Sequence, residues 1–230
     1  MLKQPFDDLM DRRARIAGWI YLPIHVIVLP LLLGVVLYLI TGKEPDDVWT
    51  NVIYYGIGFV VILATMWNYL RLSFHRLTDD IVRFFGVLAC AYAVELVLSS
   101  LFMAATQLFG ELPSPNQEMV GELAGKDYKH MMAMAVLLAP IVEETLFRGV
   151  IFGSCAKKSR VLAYVVSILA FSLYHVWQYA VVMQDWTMLL GAIQYIPISA
   201  ALCFCYDRSS TIWTPIFFHM FNNALAMSMM

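Results

Sequence analysis

The chain has 230 residues, 61% of them hydrophobic and only 14% charged, with a net charge of −2. Soluble domains carry about a quarter charged residues, so this composition points to lipid as the solvent. The near-zero net charge gives no footing for nucleic-acid binding, and no nucleic-acid partner is expected.

Seven stretches are apolar and long enough to span a bilayer, which takes about 20 helical residues. They lie near 16–40, 48–70, 82–109, 131–153, 161–183, 187–206 and 211–229. Lipid offers the backbone no hydrogen-bond partners and the runs are too long for barrel strands, so the expected fold class is all-α. The first stretch, "IAGWIYLPIHVIVLPLLLGVVLYLI", is too long for a cleavable signal peptide and no small-x-small site follows it.

Placing the N-terminus in the cytoplasm puts eleven Lys and Arg inside (Lys3, Arg12, Arg13, Arg15, Arg71, Arg76, Arg83, Lys157, Lys158, Arg160 and Arg208). Lys43, Lys126 and Lys129 fall outside. That bias predicts a multi-pass protein of the plasma membrane with a cytoplasmic N-terminus and an external C-terminus. The four cysteines, Cys90, Cys155, Cys203 and Cys205, lie in or beside spans and read as small packing residues.

The loop "GELPSPNQEMVGELAGKDYKH", 110–130, divides the chain. We expect a unit of N-terminal transmembrane helices with this extracytoplasmic loop, 1–130, and a four-helix functional core, 131–230. The N-terminal spans contain one mid-span acid, Glu95, expected to be a hydrogen-bonded interhelical group. Most of the polar intramembrane residues belong to the core.

Ionisable residues inside spans are costly and are functional candidates by default. In "IVEETLFRG", Glu144 and Arg148 are four apart and share a helix face, whereas Glu143 is rotated by about 100° and has no partner on its own helix. Pro140, one turn earlier, should loosen or kink the helix, as is tolerated beside a cavity. In "FSLYH", Phe171 and His175 are four apart. In "FFHMFNNA", His219 and Asn223 share a face while Asn222 points elsewhere, toward packing or a backbone partner.

Depths estimated from the helical rise put Glu143, His175, His219 and Asn223 within about 9 Å of one another along the membrane normal, in the inner half of the bilayer. Two chemistries suit such a set. Glu143 beside His175 could hold and deprotonate a water while His219 and Asn223 donate to an oxyanion. Alternatively Glu143, His175 and His219 could ligate a divalent metal such as Zn²⁺, leaving a position for water. Both end in amide hydrolysis. HExxH is absent, and no serine stands at a nucleophile spacing from a histidine.

EETLFR at 143–148, FSLYH at 171–175 and HMFNN at 219–223 resemble, in order, the motifs of the CPBP family of intramembrane endopeptidases (CAAX proteases and bacteriocin-processing proteins, or Abi family). The resemblance covers about 131–229. It implies that Glu143 and His175 activate water, that Glu144, Arg148 and Phe171 support the site, and that His219 and Asn223 stabilise the oxyanion. The family has been described both as metal-dependent and as glutamate-dependent. The glutamate route is the better expectation, because Asn223 is a poor zinc ligand. The eukaryotic branch cuts prenylated termini; this chain looks prokaryotic, so a membrane-associated peptide or small protein is the expected substrate. A non-catalytic immunity or scaffold relative should have lost one of these positions. A transporter should show a paired inverted repeat. Neither feature is present.

Overall fold

The computed structural model describes residues 8–110 and 112–230, and their regular structure is helical throughout. The predicted spans correspond to α1 (Arg12–Thr41), α2 (Asp47–Asp79), α3 (Ile81–Phe109), α5 (128–156), α6 with α7 (Arg160–Tyr174 and Trp177–Val182), α8 (Trp186–Ser209) and α9 (Trp213–Ser228). A helix the sequence reading left as loop, α4 (Pro115–Lys126), lies between α3 and α5. By length and composition α1, α2, α3 and α8 are apolar enough to cross a membrane. The other rods are shorter or interrupted, and α5 carries Glu143, Glu144 and Arg148 in its middle.

The helix ends follow local chemistry. Asp11, Asp46 and Asp80 cap α1, α2 and α3 by accepting backbone N–H bonds from Ala14, Trp49 and Arg83 at 2.9–3.0 Å. Gly42 closes α1 with φ +66°, a left-handed conformation that glycine adopts without a Cβ clash. Large side chains such as Leu39, Ile40, Val82 and Leu101 are strongly exposed on the outer helices, as a lipid-facing surface requires.

At the centre stands α5, which contacts α1, α2, α6 and α9. Two close approaches set its neighbours. A Cβ added at Gly18 of α1 would fall 2.3 Å from Val150 Cγ2. One added at Gly58 of α2 would fall 3.0 Å from Val142 Cγ1. Glycine at these points lets both N-terminal helices lie directly on α5.

Prolines shape the backbone beside the core. In α5 the segment Met134–Leu138 is wound as a π turn, with Ala139 N–H bonded to Met134 O. Continuing that register, the next donor would be Pro140, which has no N–H, so the carbonyl of Ala135 loses its helical partner. Asn223 of α9 supplies it, donating from Nδ2 at 2.8 Å. The same device recurs in α1. The π turn Ile24–Val28 ends with Leu29 N–H on Ile24 O, Pro30 follows, and the stranded His25 carbonyl accepts from Tyr54 Oη at 2.9 Å. The loosening expected at Pro140 is therefore present, and a side chain from another helix repairs it.

Candidate active site

Glu143, Glu144 and Arg148 lie side by side in α5 and are almost wholly buried, at 2%, 0% and 0% exposure. Glu143 sits near the middle of the rod. Arg148 donates from Nη1 to Glu144 Oε1 at 3.1 Å and from Nη2 to the carbonyl and hydroxyl of Ser199 at 3.1 and 2.8 Å. Its guanidinium also stacks 4.2 Å from the Phe171 ring centroid. A buried ion pair recovers its desolvation cost only when its remaining polar atoms are bonded. Ser199 of α8 meets part of that need, while Arg148 Nε and Glu144 Oε2 have no hydrogen-bond partner among the described residues.

The pair extends to α9. His219 Nδ1 lies 2.8 Å from Glu144 Oε1. A carboxylate only accepts, so the bond defines Nδ1 as the protonated nitrogen and turns Nε2 toward Glu143. His175 is oriented likewise: its Nδ1 lies 2.9 Å from the Phe171 carbonyl, which can only accept, and its ring stacks on Tyr195 at 4.4 Å. Phe171 contacts both imidazoles, with ring centroids 4.5 Å from His175 and 5.8 Å from His219. The Phe171–His175 spacing thus serves the ring of one residue and the orientation of the other.

Glu143 divides its two oxygens between distinct surroundings. Oε1 accepts from Tyr55 Oη at 2.6 Å. Oε2 has no hydrogen-bond partner among the described residues and lies 3.9 Å from both His175 Nε2 and His219 Nε2. One carboxylate oxygen and two imidazole nitrogens therefore face a common point. The predicted convergence of Glu143, His175 and His219 is realised in space.

That spacing also tests a metal. Zinc bonds of about 2.0–2.2 Å at a tetrahedral angle put neighbouring ligand atoms about 3.4 Å apart. At 3.9 Å the Glu143 and histidine atoms stand too wide for that angle. No group of three His, Cys, Asp or Glu among the described residues is arranged to hold a metal ion. A water donating its two hydrogens at about 2.8 Å, to Glu143 Oε2 and to one imidazole Nε2, spans the same gap. The residues as placed fit a shared water and do not fit a tetrahedral zinc ion.

These groups open into a cavity of about 390 Å³ that Glu95, Asn222 and Asn223 also line. Asn223 reaches this wall, yet one of its amide hydrogens is committed to Ala135 O. Its second N–H is the one left for a ligand. Asn222 donates to the Phe218 carbonyl at 3.0 Å, the backbone partnership expected of it. Glu95 of α3 has Asn222 of α9 as a side-chain hydrogen-bond partner, the interhelical bond expected of it, while its Oε2 is buried without one among the described residues.

Tyrosines that carry no spacing signal in the sequence pack behind Glu143. Tyr55 and Tyr54 of α2 each lie within hydrogen-bond distance of Tyr174 Oη, at 3.1 and 3.0 Å. Tyr174 Oη is 3.4 Å from His25 Nε2, and His25 Nδ1 is 3.3 Å from Tyr21 Oη. The chain Glu143–Tyr55–Tyr174–His25–Tyr21 runs into α1 and is buried almost throughout. His25, a fully buried ionisable residue between two prolines, was the available signal. Tyr54 and Tyr55 gave none, since tyrosines are ordinary in membrane helices.

Fold and site together define a polytopic helical membrane protein with a carboxylate–histidine cluster inside its helix bundle. Residues 127–225 match the family described as "Type II CAAX prenyl endopeptidase Rce1-like". Over 100 residues the chain is 30% identical to "Putative membrane peptidase YdiL" of Bacillus subtilis (strain 168). That similarity covers 43% of this chain and spans 36% of the relative's length. No solved structure matches the chain. The resemblance carried by EETLFR, FSLYH and HMFNN is borne out over 127–225, a segment that includes all of them. It excludes Tyr55, which α2 brings to the same site.

Proposed function

We propose that this protein is an intramembrane endopeptidase in which Glu143 activates a water against a peptide bond. The observation that carries the reading is the unpartnered Glu143 Oε2, equidistant from two imidazole nitrogens oriented by their own Nδ1 bonds. A water held there gives a proton to Glu143 as its oxygen attacks the substrate carbonyl carbon. The oxygen that becomes negative is received by the free N–H of Asn223 and by His219, which donates from Nε2 after its ring has taken a second proton from solvent ahead of the attack and keeps it through the step. A second proton on the His219 ring is stabilised by the Glu144 carboxylate at Nδ1. The proton on Glu143 then passes to the leaving nitrogen as the C–N bond breaks, giving a carboxylic acid and an amine.

In this reading the substrate is a membrane-associated peptide or small protein, the setting is a prokaryotic plasma membrane, and no resident metal takes part. Support for peptidase chemistry comes from the family match over 127–225. Support for the water route comes from the 3.9 Å spacings. Purified protein in lipid vesicles should cleave a peptide mixture after exhaustive chelation, and Glu143→Gln should not. Activity lost on chelation and restored by a stoichiometric divalent ion would overturn the water route.

A further inference from the structure

The fully exposed residues that line the cavity lie at one end of the bundle. Its exposed lining residues include Gln117 and Met119 of α4 and Met230 at the C-terminus. Residues of the α2–α3, α5–α6 and α8–α9 turns contribute nothing to its walls. Those turns form the opposite end of the molecule, where the basic residues gather. There Arg15 bonds Ser154 Oγ at 3.1 Å, Arg160 pairs with Asp207 at 3.4 Å, and Arg83 donates through Nε to the Arg208 carbonyl at 2.8 Å. Arg12, Arg13, Arg71, Lys157 and Lys158 belong to the same end. Basic residues concentrate on the cytoplasmic side of membrane proteins, so the closed end is cytoplasmic and the cavity mouth is not.

The walls are chemically one-sided as well. They carry the carboxyl groups of Glu143 and Glu95, the imidazoles of His175 and His219, several side-chain amides, tyrosines and apolar residues, but no lysine or arginine among the described residues. Arg148 is spent on Glu144 and Ser199 beneath the site. The groups in its walls able to carry positive charge are His175 and His219, and both face Glu143.

We infer that the substrate is a neutral or cationic peptide segment that reaches Glu143 from the extracytoplasmic side of the membrane. This rests on the endopeptidase reading, but the accessibility on which it depends does not require catalysis. A segment threaded from that side passes α4 and meets Glu95 and Glu143 before any lysine or arginine. A free C-terminal carboxylate finds no lysine or arginine there.

Ser99 provides the reporter. It lines the cavity one turn from Glu95, and Ser99→Cys adds little volume. In a chain whose four native cysteines are replaced by alanine, this thiol should react with membrane-impermeant thiosulfonates in right-side-out vesicles and not in inverted ones. Lys158→Cys in the same background, exposed at the basic end, should show the reverse and so establishes native insertion. The cationic thiosulfonate should modify Ser99→Cys faster than the anionic reagent, by on the order of tenfold relative to the two reagents' rates on an exposed cysteine. Glu95→Gln should shrink that ratio. Reaction of Ser99→Cys only in inverted vesicles, reversed labelling of Lys158→Cys, or a preference for the anionic reagent would overturn the proposal. Loss of peptide cleavage with the labelling pattern intact would count against the endopeptidase reading instead.

Discussion

Tyr55 donates its phenolic hydrogen to Glu143 Oε1 at 2.6 Å, joining a residue of α2 to the acid at the centre of α5. The bond occupies one carboxyl oxygen and leaves the other facing His175 and His219. Replacing Tyr55 by Phe removes a charge-assisted hydrogen bond, worth about 1.5–3 kcal/mol, and lets the carboxyl group turn. We expect kcat for peptide cleavage to fall by roughly ten- to a hundredfold with KM little changed, and membrane insertion to be unaffected. An unaltered kcat for Tyr55→Phe would remove Tyr55 from the account.

Arg148 tests the support beneath the site. Its guanidinium bonds Glu144 and Ser199 and stacks on Phe171, all without exposure to solvent. Removing one partner of such a pair strands the other charge, at a cost of about 3–5 kcal/mol. Arg148→Met should therefore lower the thermal midpoint in detergent markedly. Arg148→Lys should rescue little, because an ammonium cannot reproduce a planar fork. Full stability of Arg148→Lys would show that charge alone matters there.

Asn223 has two tasks in this structure, and a substitution should reveal both. Asn223→Ala withdraws the donor that serves the Ala135 carbonyl beside Pro140, costing about 1–3 kcal/mol of stability. It also removes the amide N–H available to the oxyanion, so kcat should fall beyond what unfolding explains. Calorimetry and cleavage rates on the same preparation separate the two. Loss of stability with an unchanged kcat would leave Asn223 as a backbone clamp only.

Gly58 lies one turn beyond Tyr55, and an added Cβ there would meet Val142 at 3.0–3.1 Å and His25 at 3.3 Å. Gly58→Ala should push α2 from α5 by a few tenths of an ångström and lengthen the Tyr55–Glu143 bond. Cleavage should weaken severalfold while the protein stays folded, since overpacking of this size costs about 1–3 kcal/mol. Gly18→Ala, with its Cβ 2.3 Å from Val150, should instead show up mainly as lost stability. The two are compared by residual activity per folded molecule.

Hydrophobic run length located the long helices, but it joined α6 and α7 into one span and left α4 within a loop. Helix geometry likewise separated Glu144, which pairs with Arg148, from Glu143, which does not. What it could not supply was Tyr55. A tyrosine in an apolar span carries no spacing signal, and its role depends on how α2 lies against α5. The same holds for Ser199 and for the Asn223 bond to Ala135, which exists because Pro140 falls next in a π register that only the folded backbone displays. Glu95 was visible as an acid in a span, but its place on the cavity wall was not.

The central claim is that Glu143 is the group that activates water. The most direct measurement is the rate of peptide cleavage by the Glu143→Gln protein in lipid vesicles, followed by mass spectrometry of the new termini. Glutamine keeps the size and accepts from Tyr55 but cannot take the proton. Cleavage should fall by at least about a hundredfold with the protein folded and inserted, in line with a general-base contribution of about 10²–10⁴. The same termini appearing at an undiminished rate would contradict the account.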